Sequence, residues 1–173
     1  MRRLLIVLVA VAATALWAPV ATADGPVVVS GGGTGTFGAD LDADGDGDGS
    51  HFGFGASFRG GAPRGHFMCQ MAGNADILGL PVMLVGGHVS GGWASPETGT
   101  ALLTGVATVN LAQGLTFTDV PYEVRLFAGG PGVGRMQLTV IGAFDGVPGD
   151  TVAGNGNYDL PVETVATGRI TVR

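Results

Sequence analysis

Lysine is absent from this 173-residue chain, and cysteine occurs once, at Cys69. A single thiol closes no internal disulfide, so packing must hold the fold, with or without an ion. In His66-Phe67-Met68-Cys69-Gln70-Met71, strand alternation places Cys69 with Phe67 and Met71, as a small buried hydrophobe and not a reactive thiol. Basic charge is scarce too. Of eight arginines two stand at positions 2 and 3, which leaves six against fourteen acidic residues and about −8 over the rest of the chain. No positive stripe is visible, which argues against nucleic acid and anionic membranes as partners. Long apolar runs are equally rare. Apart from the first residues, the nearest candidate is Ile77 to Val85, broken by Gly79 and Pro81 and far short of the ~20 residues of a spanning helix.

What is present begins with a leader. Arg2-Arg3 precede an apolar stretch from Leu4 to Trp17, and Ala21-Thr22-Ala23 gives the small-x-small pattern of a cleavage site. The expectation is a signal peptide over residues 1–23, cleaved after Ala23, and a secreted, extracellular product. Residues 24–173 have the length of one domain. Within it, 24–49 reads as a Gly/Asp-rich N-terminal strand and acidic loop, and 50–173 as the body.

Glycine supplies 33 residues, and the apolar content is too high for disorder, a combination that points to strands joined by tight turns. Period-2 alternation supports this. Phe52, Phe54, Ala56 and Phe58 share one face; Met136, Leu138 and Val140 another; Tyr122, Val124 and Leu126 a third. Ile170 and Val172 close the series. Between these runs lie Gly60-Gly61-Ala62-Pro63, Gly86-Gly87, Gly91-Gly92, Gly129-Gly130-Pro131-Gly132, Val147-Pro148-Gly149-Asp150 and Gly154-Asn155-Gly156-Asn157, all turn-forming. No window carries a helical period over three turns. The expected fold is all-β: an antiparallel barrel or two-sheet sandwich of about eight to ten short strands. A first strand at Val27 to Ser30 pairing with the last at Gly168 to Arg173 would close a barrel and hide both edges.

The stretch from Asp40 to His51 is the one with a nameable chemistry. It reads D-x-D-x-D-G-x-x-D, with Asp40, Asp42 and Asp44 at the first, third and fifth positions, Gly45 at the turn, Asp46 at the seventh and Asp48 at the ninth. Calcium, a hard cation seeking six to eight oxygens, suits such alternation. His51 stands where an EF-hand has its bidentate Glu, and no helices flank the loop. Without a cation, five carboxylates within nine residues repel one another and keep the backbone extended. The candidate metal ligands are therefore Asp40, Asp42, Asp44, Asp46 and Asp48, for a weak calcium site; no other cofactor is indicated.

His51-Phe52-Gly53-Phe54, Gly65-His66-Phe67, the stretch from Gly105 to Asn110 and the tail from Gly149 through Gly156-Asn157-Tyr158 to Gly168-Arg169-Ile170 resemble an uncharacterised family of small secreted Gly-rich β-domains of high-GC bacteria. The resemblance implies export and a β-fold and carries no activity across.

Other constellations fail on chemistry. Gly33-Thr34-Gly35-Thr36-Phe37-Gly38 matches G-x-G-x-x-G, but Asp-rich sequence follows where a helix must receive the pyrophosphate. His66 and Cys69, three apart, would fall on opposite strand faces, and His51 and His88 stand alone, so no zinc set forms. None of Ser30, Ser50, Ser57, Ser90 or Ser95 lies in G-x-S-x-G, and nothing in the sequence joins Cys69 to His88 as a nucleophile and base. Carboxylate pairs for glycoside hydrolysis could come from Asp119, Glu123, Asp145, Asp159 or Glu163, with Trp93, Tyr122 and Tyr158 as the few aromatic platforms. Gly91-Gly92-Trp93 resembles the G-x-W of lipocalins, placed here in mid-chain and not in a first strand; Trp93 then reads as a lid or an exposed contact.

Two functions are consistent with these residues. One is a non-enzymatic secreted β-domain with a binding or structural role in the cell envelope or its surroundings. The other is a small barrel that carries or acts on an apolar molecule, in a cavity lined by Phe52, Phe54, Met136 and Leu138.

Overall fold

The computed structural model describes residues 25–38, 40, 45, 47–60, 63–77 and 80–173. The signal peptide expected over residues 1–23 lies outside them. Among the described residues nine strands follow in order: β1 (Val27–Thr36), β2 (Gly49–Phe58), β3 (Arg64–Ile77), β4 (Leu80–Ser95), β5 (Thr100–Leu111), β6 (Thr116–Phe127), β7 (Arg135–Val140), β8 (Tyr158–Asp159) and β9 (Glu163–Val172). Among the described residues the only helical piece is a 3-10 turn at Ala112–Gly114, and no helix is long and apolar enough to cross a membrane.

Every pairing is antiparallel, and the sheet closes on itself. β1 to β7 pair in succession, β7 pairs β9 at Arg135 and Met136, and β9 returns to β1. The result is a barrel-like ring of eight strands, with the two-residue β8 added beside the far end of β7. The expected pairing of first and last strands is present: Val29 faces Val172 and Gly31 faces Ile170. Where β7 is too short to cover the rest of β9, a Gly-rich turn does so. Gly129 and Ile170 exchange both backbone hydrogen bonds, and Gly132 N–H reaches Val165 O at 2.9 Å.

The alternation in the sequence becomes inside and outside. Phe52, Phe54, Ala56, Phe67, Cys69, Met71, Tyr122, Val124, Leu126, Met136, Leu138 and Val140 are all buried. Phe52, Phe54, Phe67 and Tyr122 form a stacked series across the interior, with centroids 6.0, 6.4 and 5.4 Å apart. Each such side chain contributes about 1.5–3 kcal/mol on burial, which lets the sheet cohere without a disulfide.

Two turn assignments and one boundary differ from expectation. Gly86-Gly87 and Gly91-Gly92 lie inside β4, and β1 runs on through Gly31-Gly32-Gly33-Thr34-Gly35 to Thr36. The reason is steric. A side chain on Gly31 would overlap the Phe54 ring, one on Gly35 would overlap the Glu163 carboxylate, and one on Gly87 would meet Ala107. These glycines are strand residues that leave room for larger neighbours, and the chain therefore has longer strands than glycine counting suggests.

Candidate functional site

β2 opens at the base of the acidic loop, where the chain enters the ring. Asp48 is buried there, and its carbonyl accepts the Phe37 N–H at 2.8 Å. Asp40, at the exposed end, accepts the Gly45 N–H through Oδ2 at 2.9 Å, a side-chain turn that fits the D-x-D-x-D-G spacing. Asp42, Asp44 and Asp46 lie outside the described residues. Asp48 thus sits at the wall of the ring and does not project with the loop.

Two residues beyond Asp48 lies a polar cluster that sequence reasoning missed as a unit. Ser50 Oγ donates to Glu163 Oε2 at 2.7 Å, with both residues only 3% exposed. Gly35 makes the contact feasible. It lies opposite Ser50 across the β1–β2 ladder, and with no side chain of its own it leaves space for the carboxyl group of Glu163 on β9. Burial raises Glu163 from an ordinary value near 4.5 to about 7, with the Ser50 hydrogen bond opposing in part. The phase shared by Glu163 and Val165 was the signal available, since a strand that turns Val165 inward must turn Glu163 inward too.

Cys69, fully buried, is pushed well above its usual range, first by burial and then by the charge of Glu163, with Ser50 opposing. A thiol so held is no nucleophile at neutral pH. Burial likewise raises Tyr122 to about 12, and burial together with Asp150 raises Tyr158 to about 12. Both tyrosines belong to the core, so neither serves as a sugar platform.

The remaining candidates are dispersed. His66 and His88 face each other across β3 and β4 on the outer surface, on the opposite side of the sheet from Cys69. Glu123 holds Arg125 at 3.2 Å on the outside. Asp145 accepts the N–H groups of Gly154 and Gly156, while Asp159 accepts Thr139 Oγ1 and Asn155 Nδ2. Neighbouring Asp150 lies below the usual carboxylate range: the slight burial there is outweighed by N–H donors from Gly146, Val152 and Asp159. Asp150 also shares a side-chain hydrogen bond with Asp145, and these carboxylates order the loop over residues 141–157. Among the described residues no three His, Cys, Asp or Glu side chains converge as a metal centre. The centre of the ring is filled, since Phe52, Phe54, Met136 and Leu138 each keep 5% or less of their exposure.

Fold and side chains together define a class: an antiparallel all-β domain whose sheet closes as a ring around a solid apolar core, with two buried carboxyl groups, Asp48 and Glu163, at its loop-bearing end. No family model, curated protein or solved structure matches the chain.

Proposed function

We propose that this chain is an exported, non-enzymatic β-domain that acts by binding, or as a structural part of the cell envelope or its surroundings, with calcium ordering the loop from Asp40 to Asp48. The observation that carries the reading is the inertness of the interior. Its one thiol is masked, the Glu163 carboxyl group accepts from Ser50, and its volume is occupied by apolar side chains. Recognition then falls to the outer face and the loops. The same packing disfavours the carrier reading, because Phe52, Phe54, Met136 and Leu138 occupy the space that an apolar cargo would need. Export rests on Arg2-Arg3, the apolar stretch to Trp17 and Ala21-Thr22-Ala23. The calcium assignment rests on the carboxylate spacing and on the Asp40 to Gly45 turn.

Thermal melts of the purified protein with calcium, with chelator and with magnesium test the loop. A ligand at one hundred times its dissociation constant adds about 2.7 kcal/mol, several degrees for a domain of this size. The expected result is a calcium-specific rise that is lost in the Asp42→Asn/Asp44→Asn double variant. An unchanged midpoint at millimolar calcium would reduce the loop to an acidic connection.

A further inference from the structure

β4 turns Met83, Val85 and Val89 toward the interior, and unbroken alternation would carry Trp93 inside with them. It does not, because the register shifts. Val89 lies opposite Gly105 and Gly91 opposite Thr104, which makes Ser90 an extra residue on β4. This bulge reverses the phase, so Ala94 packs toward the core and Trp93 emerges on the outer face, 52% exposed. Gly92 beside it has φ +117, and any side chain there would strike the Leu102 carbonyl. The sheet accepts a bulge and a glycine-only backbone to present an indole to water, and such devices concentrate where a side chain is re-aimed for use.

The surroundings of the indole define what it can hold. Trp93 pairs with Leu102 and Leu102 with Arg125, in one row across β4, β5 and β6; Thr100 and Phe127 form the next row on that face. With strands about 4.8 Å apart, the row from indole to guanidinium spans roughly 10 Å. These side chains line an open groove of about 300 Å³, at the lower end of the ~300–1,000 Å³ of ligand clefts. Arg125 Nη2 lies 3.2 Å from Glu123 Oε1, so the charged group in the groove arrives already neutralised.

We infer that this groove binds a neutral saccharide, with Trp93 as the stacking platform and the Arg125–Glu123 pair reading hydroxyl groups. The face of an indole is the negative end of its quadrupole and suits the polarised C–H face of a pyranose. The ion pair presents donors on the guanidinium beside acceptors on the carboxylate, and a diol, in which each hydroxyl is both, answers that pattern. An apolar lipid or peptide would strip water from the pair and return no hydrogen bonds. A polyanion would meet a chain of net charge −6. The inference deepens the binding reading above and rests on it, at a groove that shares no residue with the acidic loop.

The test is titration of the purified protein with hexasaccharides of β-1,4-linked glucose, mannose, xylose and N-acetylglucosamine, with polygalacturonate as the anionic control. With residues 1–23 removed Trp93 is the only tryptophan, so the fluorescence reports on the groove directly. At least one neutral hexasaccharide should give a saturable change. Affinity measured by calorimetry should fall at least roughly tenfold, about 1.4 kcal/mol, in Trp93→Ala and several-fold in Arg125→Ala, with melting temperatures unchanged. The assignment is overturned if no neutral hexasaccharide binds at ~10 mM, a Kd limit near 3 kcal/mol of affinity, if polygalacturonate alone binds, or if Trp93→Ala binds like the parent. None of these outcomes depends on calcium, so the loop and the groove stand or fall separately.

Discussion

Glu163 is the residue whose surroundings most constrain the behaviour of the molecule. Its carboxyl group is held at about 7 against an ordinary value near 4.5, chiefly by burial. A raised carboxyl pKa means that the folded state keeps its proton where the unfolded chain has lost it. Its contribution to stability is fully present below about 4.5, declines as the pH rises, and is lost once the pH passes about 7. Over that window the loss is roughly 2–4 kcal/mol for so buried a group. Glu163→Gln keeps an acceptor for Ser50 and cannot ionise. Urea titrations of the parent and Glu163→Gln from pH 4.5 to 8 should diverge steadily, with the variant the more stable at the alkaline end. Because other groups cancel in the comparison, parallel profiles for the two proteins would show that the carboxyl group titrates normally.

At the scale of the strand, β1 shows what glycine does in this fold. Its inward positions from Gly31 to Gly35 carry no side chain, and the space goes to Phe54 and Glu163 from the neighbouring strands. Gly31→Ala places a methyl group within the Phe54 ring and should cost about 1–3 kcal/mol, the range for overpacking. Adding Phe54→Leu to Gly31→Ala should recover part of that loss relative to the sum of the two single changes, because the cavity and the methyl group compensate. Strict additivity in chemical melts would disprove the contact. The same strand marks the limit of reading from sequence. Alternation at Phe52, Phe54, Tyr122, Met136 and Leu138 was sufficient to assign strands and the core face, because burial on one side leaves a period of two. It could not distinguish a glycine that turns the chain from one that yields space, since the difference lies in a partner strand remote in sequence. Trp93 was legible as an exposed contact, yet its outward direction depends on the extra Ser90, which only the register with β5 reveals. The Ser50–Glu163 contact was hidden for the same reason, with 113 residues separating its partners.

For the whole molecule, closure of the ring depends on the two ends of the chain meeting. β2 to β6 are joined by neighbouring hairpins, whereas Ser30 and Thr171, hydrogen-bonded at 2.8 Å, are 141 residues apart. Long-range pairings require loop closure before they return any contact energy, so they slow folding and form late. The meander of β3, β4 and β5 is then the natural nucleus, and the β1–β9 seam its last addition. Substitutions separate accordingly. Val85→Ala and Leu103→Ala, in the core of β4 and β5, should slow refolding, because their contacts exist at the barrier. Ile170→Val and Val29→Ala, at the seam, should leave the refolding rate nearly unchanged and speed unfolding instead. Stopped-flow chevrons of the four variants decide the matter. If the seam variants slowed refolding as much as the β4 and β5 variants, the ring would be closing at or before the barrier, with β1 and β9 part of the nucleus. An unformed seam leaves two unpaired strand edges exposed, so its late formation makes β1 and β9 a site of aggregation during refolding. That exposure should increase when the same seam contacts are weakened.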